Sequence, residues 1–140
     1  NHACGAVEQK VLEYHKNDLV IVEGQGSLLH PGSTATLPLI RGSCPTHLIL
    51  CHRAEKQNLR YPENIQIPNL KKFIELNENL SHVFGSFPMA KCIGVSLNTS
   101  KLNENDAQKI IKEITKTTGL PVTDPVRYGV EKICKDLLAD

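Results

Sequence analysis

The chain has 140 residues, of which 40% are hydrophobic and 22% charged, enough for one domain with a buried core. Its 16 basic and 15 acidic residues are interspersed, so no field of one sign points to a nucleic acid or an anionic membrane surface. There is no apolar run of bilayer length and no signal-peptide pattern. We therefore expect a cytoplasmic protein with neither nucleic-acid nor membrane partners.

The first predicted elements are a helix and a strand. Apolar residues recur at helical spacing over Cys4–His15, and a short polar turn follows. Leu19–Glu23 then carries four consecutive aliphatic residues, which predicts a strand buried on both faces. The stretch Gly24–Ser43 is rich in Gly, Pro, Ser and Thr, and it predicts a long loop with one helical turn.

From there on, predicted strands and helices alternate. The strands are Thr46–His52, Lys91–Leu97 and Leu120–Asp124. The helices are one capped by Asn69 and extending to Val83, one capped by Asn103 or Asn105 and ended by Gly119, and one from Pro125 through Leu138. Alternation of this kind predicts a three-layer α/β fold, a parallel sheet with flanking helices.

Polar residues follow each predicted strand. Because right-handed crossovers bring the carboxyl ends of parallel strands to one edge, these residues are expected to meet there and to form a ligand site. They are Glu23 through His30, His52 with Arg53, Asn98 with Thr99, and Asp124 with Arg127 and Tyr128. The five cysteines include no Cys-x-x-Cys pair, so neither disulfides nor a metal site is expected.

Four segments carry a resemblance to a known family. They are Val20–Pro31 (VIVEGQGSLLHP), Leu50–His52, Gly94–Thr99 and Leu120–Gly129. Together they resemble the C-terminal domain of the D-glutamate N-acetyltransferase-like family, formerly the domain of unknown function DUF1611. The similarity extends over nearly the whole chain, and its most specific part is the Glu-Gly-Gln-Gly block that begins at Glu23.

The resemblance implies a P-loop NTPase-like domain, similar in layout to dethiobiotin synthetase. Neither Gly-x-x-x-x-Gly-Lys-Ser/Thr nor Gly-x-Gly-x-x-Gly occurs here, and the chain opens with a helix. We therefore expect residues 1–140 to be a single α/β domain that lacks its N-terminal strand and phosphate loop. It would form the C-terminal part of a larger protein whose other domain is Rossmann-like.

The resemblance also implies acetyl transfer from acetyl-CoA to the amino group of D-glutamate or a related D-amino acid. By position, Glu23 and His30 are the candidate catalytic bases, although a solvated carboxylate and a structural histidine are the simpler interpretations. The remaining candidates would bind substrate or acetyl-CoA. They are Gly24, Gln25, Gly26, Ser27, His52, Arg60, Asn98, Thr99, Asp124 and Arg127.

Specific roles follow for two groups of these residues. Arg60 and Arg127 suit a substrate carboxylate, since guanidinium binds carboxylates through two hydrogen bonds, but solvated surface arginines are the alternative. Asn98 and Thr99 lie where related P-loop enzymes recognise a base, and they could serve the adenine of coenzyme A.

Two other functions stay open. One is an ATP-dependent P-loop kinase or ligase acting on a small molecule, in which Glu23 would orient magnesium. The other is a nucleotide-binding or assembly module without catalysis, whose apolar sheet edge meets another chain. For all three functions, we expect a homo-oligomer.

Overall fold

Three parallel strands form the sheet of the computed structural model, which describes residues 2–24, 26–135 and 137. They are β1 (His47–Arg53), β2 (Lys91–Asn98) and β3 (Val122–Thr123), in the order β1-β2-β3. The helices are α1 (His2–Glu13), α2 (Thr36–Ser43), α3 (Leu70–His82), α4 (Glu104–Thr118), α5 (Pro125–Tyr128) and α6 (Glu131–Cys134), with a 3-10 turn at Val83–Gly85. This arrangement confirms the predicted α/β class.

The central strand β2 is apolar along most of its length because helices cover both of its faces. On one face, Val95 and Leu97 are fully buried against Ile74 of α3 and Ile111 of α4. On the other face, α6 packs directly on the backbone at Gly94. The sheet is therefore the middle of three layers, as predicted.

Helix ends follow local sequence signals. The Asn69 side chain accepts hydrogen bonds from the backbone N–H of Lys71 and Lys72, at 3.0 and 3.3 Å, and caps α3. Asn103 caps α4 in the same way, and Gly119 ends that helix in a left-handed conformation with φ 76°. Of the two predicted caps for α4, Asn103 is the one used.

The predicted buried strand at Leu19–Glu23 is wrong. Residues 19–24 are not in a strand, and the Ile21 side chain is 83% exposed. An extended apolar segment becomes a strand only when another strand supplies hydrogen bonds, and none of the described residues pairs with this one. An apolar run predicts that a segment is stabilised by burial, but it does not show that a partner strand is present.

Two smaller expectations also differ from the structure. The loop after Gly24 contains the full helix α2, eight residues long, where one turn was predicted. The predicted final helix is split into α5 and α6 by Gly129, whose φ of 77° and ψ of −176° are almost restricted to glycine. Leu138, the last predicted helical residue, lies outside the described residues.

Gly94 offers a test of the α6 layer. A Cβ atom at this position would lie 2.8 Å from Ile133 Cγ1 and 3.1 Å from the Pro121 carbonyl oxygen. Because a packed core gives way only with strain, we expect Gly94→Ala to lower the free energy of unfolding by about 1–3 kcal/mol in urea denaturation. Gly5→Ala is the control, since nothing lies within 4 Å of its Cβ in α1.

In the control Gly5→Ala, the free energy of unfolding should rise by about 0.5–1 kcal/mol, because alanine favours a helix more than glycine does. Equal unfolding free energies for the two variants would contradict the packing of α6 on β2.

Candidate active site

The polar ends of the three strands enclose a cleft at the carboxyl edge of the sheet, with a volume of about 460 Å³. Its lining includes His52 and Arg53 from β1, Asn98 and Ser100 from the end of β2, and Asp124 and Arg127 from the turn into α5. The structure thus brings together His52, Asn98, Asp124 and Arg127 from four separate sequence positions. Clefts in this location are where open α/β sheets bind ligands.

Strand pairing accounts for the convergence. Arg53 is in register with Asn98, and the Ala54 N–H donates to the Asn98 carbonyl oxygen at 3.1 Å, so β1 and β2 end together. The next residue, Thr99, is fully buried and donates to Asp124 Oδ2 through its backbone N–H at 2.9 Å and its hydroxyl at 2.5 Å. Asp124 follows β3 directly, so all three strand ends are tied to one another.

Asp124 is a structural anchor of this edge. Its other oxygen, Oδ1, accepts hydrogen bonds from the N–H groups of Val126 and Arg127 and caps α5. Burial would raise the pKa of Asp124, but the bonds from the Thr99 hydroxyl and from three backbone N–H groups outweigh it and hold that pKa below its usual value. With four hydrogen bonds accepted, the carboxylate has no free lone pair for the predicted ligand contact.

Arg127 is likewise engaged within the protein. Its Nη2 donates to the carbonyl oxygens of Thr99 and Leu102 at 3.1 and 2.6 Å, and its Nη1 donates to Glu104 Oε2 at 3.2 Å. Tyr128 reaches the same carboxylate, donating from its hydroxyl to Glu104 Oε1 at 2.7 Å. The predicted binding of a substrate carboxylate by Arg127 would have to compete with these hydrogen bonds.

His52 is a titratable side chain of the cleft whose pKa is shifted by its environment. It is half-buried, and this burial lowers the pKa of its imidazole, with a smaller opposing effect from Glu55. The ring is therefore neutral at pH 7 and able to accept a proton. His52 also borders a second cavity of about 270 Å³, next to Lys56 and Asn69.

Arg53, predicted to lie at this sheet edge but not named among the binding candidates, also lines the cleft. Its Nη2 donates to Glu55 Oε1 at 3.0 Å, and much of the side chain is exposed beside His52. Cys51, Ser96 and Ser100 also line the cleft and were missed. The signal for Arg53 was its place at the very end of β1, one residue after His52.

The described residues of the Glu-Gly-Gln-Gly block, Glu23, Gly24 and Gly26, do not line this cleft. Glu23 is exposed, and Ser27 and His30 accept hydrogen bonds from nearby N–H groups, those of Leu29 at 3.2 Å and Gly32 at 3.0 Å. Neither these residues nor the two glycines of the block belong to the cleft lining.

Side chains lie close to both glycines of the block. A Cβ at Gly24 would lie 2.9 Å from Leu39 of α2, and one at Gly26 would collide with Ser33 and Thr36. Gln25 lies outside the described residues, and Arg60 is exposed in the β1–α3 connection. Glu23, His30 and Arg60 are not among the residues that line the cleft, and the chemistry predicted for them stays a prediction.

Within residues 2–24, 26–135 and 137, no group of three or more His, Cys, Asp or Glu side chains is placed to hold a metal ion. Among the helices of that same part of the chain, none combines the length and apolar character needed to cross a membrane.

Comparison with known proteins places this fold in a family. The family model described as "Domain of unknown function (DUF1611_C) P-loop domain" matches residues 1–134. A crystal structure of a DUF1611 family protein from Anabaena variabilis, at 2.30 Å resolution, matches with a TM-score of 0.93 and 46% sequence identity. The match covers 98% of this chain and 40% of that one.

Two curated relatives carry the name D-glutamate N-acetyltransferase. The protein from Pseudoalteromonas sp is 32% identical over 134 residues, which cover 95% of this chain and 40% of the relative. The protein from Tritonibacter scottomollicae is 31% identical over 137 residues, which cover 97% of this chain and 40% of the relative. This chain therefore spans 40% of the length of these relatives, and by its sequence and fold it belongs to the DUF1611 family as the C-terminal P-loop domain.

Proposed function

We propose that this chain is part of an N-acetyltransferase that uses acetyl-CoA to acetylate D-glutamate or a related D-amino acid. The observation that carries the proposal is the identity of 31–32% with two proteins named D-glutamate N-acetyltransferase, which extends over 95–97% of this chain. We take the cleft at the carboxyl edge as the proposed location of the reaction.

The reaction forms one bond, breaks another and transfers protons. The amine nitrogen attacks the thioester carbonyl, a C–N bond forms, the C–S bond breaks, and the proton lost by the amine must be accepted while the thiolate gains one. In our proposal the neutral imidazole of His52 accepts this proton, and the exposed guanidinium of Arg53 attracts an anionic group of substrate or coenzyme. The Asn98 side chain, at the end of β2, faces the adenine.

The test is thiol release from acetyl-CoA by the full-length protein, measured with a panel of D- and L-amino acids. We expect release that depends on D-glutamate or a close D-analogue and that is much slower with L-glutamate. No release with any D-amino acid would overturn the proposal.

The same assay decides the sequence-based role of Glu23. If this carboxylate is the general base, Glu23→Gln lowers kcat about 10²–10⁴-fold, since the amide keeps the shape but cannot accept the proton. Exposed Glu8 in α1 gives the control variant Glu8→Gln, which should retain full activity. Unchanged kcat for Glu23→Gln would remove Glu23 from the mechanism.

A second candidate, an ATP-dependent enzyme of the P-loop class, is favoured by the P-loop description of the family. It predicts magnesium-dependent ADP formation in place of thiol release. Incubation of the full-length protein with ATP, Mg²⁺ and the same amino-acid panel therefore separates the two functions.

A further inference from the structure

We propose that Arg127 is a positioning residue that holds the loop 99–103 in the shape that lines the cleft, and that it does not bind the ligand itself. The inference rests on the proposed function, since it concerns the same cleft. It changes the role of the residue. Arg127 lies at the edge of the cleft, but in this proposal its guanidinium holds the loop in place and does not bind a substrate carboxylate.

The guanidinium spans the whole loop. One of its nitrogens donates to the Thr99 carbonyl at the start of the loop and to the Leu102 carbonyl near its end. The other terminal nitrogen donates to Glu104, the first residue of α4. Because the guanidinium is planar and rigid, these three acceptors are held at fixed separations, which a lysine ammonium would not do.

A second group of bonds keeps the brace itself in place. Tyr128 donates to the second oxygen of Glu104, and Asp124 accepts from the Arg127 backbone N–H. Both residues flank Arg127 in α5 or the turn before it, so the guanidinium is oriented from its own element and from α4.

One residue of the loop, Ser100, lines the cleft, and it is bonded to Asn98 at the end of β2. Asn98 Oδ1 accepts from the Ser100 N–H at 3.0 Å, and both residues line the cleft. Within the loop, the Leu102 N–H donates to the Thr99 carbonyl at 2.9 Å, the same oxygen that Arg127 contacts. Loss of the guanidinium would therefore displace the residues proposed to bind the adenine. This effect does not require a contact between Arg127 and the ligand.

Binding of two probes distinguishes a brace from a direct contact. Acetyl-CoA carries phosphates and adenosine carries none, so a displaced loop should weaken both by the same factor, about tenfold, in Arg127→Ala and Arg127→Lys. A loss of affinity for acetyl-CoA but not for adenosine would show that Arg127 contacts the ligand's anionic groups. That result would overturn the proposal. Unchanged affinity for both probes would overturn it as well.

Hydrogen exchange tests the brace without any ligand. In Arg127→Ala the Ser100 and Leu102 amides should exchange about tenfold faster, while the amides of Val95 and Leu97 in β2 keep their protection and report an intact fold. Lys116→Ala, which removes an exposed cation of α4, is the control. Unchanged exchange in the loop would overturn the proposal.

These measurements also separate the two proposals. If the unaltered protein binds neither probe, the proposed function fails, while loop exchange still decides the role of Arg127. If Arg127→Ala does not fold, Arg127→Lys and Glu104→Gln carry the same exchange measurement.

Discussion

Replacing Asp124 by alanine is expected to lower the free energy of unfolding by about 2–4 kcal/mol. The substitution removes the cap of α5 and leaves the fully buried Thr99 with an N–H and a hydroxyl that no longer have an acceptor. Urea denaturation at pH 7 measures the loss. Asp18→Ala, at an exposed turn, is the control and should stay within about 0.5 kcal/mol of the unaltered protein.

The stabilisation by Asp124 has a defined pH dependence. Its pKa is held below the ordinary value of 3.8 in the folded protein, so the carboxylate contributes stability that is fully present above this value. That contribution is lost as the pH falls through the lower, folded-state pKa. The stability difference between the unaltered protein and Asp124→Asn should therefore be constant near neutral pH and shrink below pH 3.8.

Either of two results would contradict the anchoring role. One is a loss of less than about 0.5 kcal/mol in Asp124→Ala, which would match a surface substitution. The other is a stability difference between the unaltered protein and Asp124→Asn that is the same at pH 7 and below pH 3.8.

Elements with local signals were predictable from the sequence. The Asn69 and Asn103 caps each depend on a side chain and backbone groups two or three residues away, so a short window contains the whole interaction. The alternation of strands and helices likewise fixed a parallel sheet, and with it the meeting of His52 and Asn98 at one edge.

Interactions between distant segments were not predictable in this way. Whether Leu19–Glu23 pairs with another strand depends on a neighbour that its own residues do not specify, and the exposed Ile21 shows how an apolar run misleads. The internal bonds of Arg127 depend on the path of the chain after β2, more than twenty residues earlier. From the sequence alone, an arginine near a strand end could equally well bind a substrate carboxylate or form hydrogen bonds within the protein.

The burial of His52 has the largest expected consequence for activity. In the proposed acetyl transfer, His52→Gln is expected to lower kcat about 10²–10⁴-fold in the thiol-release assay with D-glutamate, because a carboxamide cannot accept the amine proton. His47→Gln is the matched control, at the opposite end of β1 from the cleft, and it should retain full activity.

The pH profile ties this loss to the titration of His52. Burial lowers the pKa of the imidazole from 6.5, so the neutral, proton-accepting form predominates at pH 7 and is lost as the pH falls through that lower value. We expect kcat/KM of the full-length protein to fall as the pH drops below 6.5. The residual activity of His52→Gln should not show this acid decline. If His52→Gln keeps both the rate and the acid decline, another group accepts the proton, and His52 only lines the cleft.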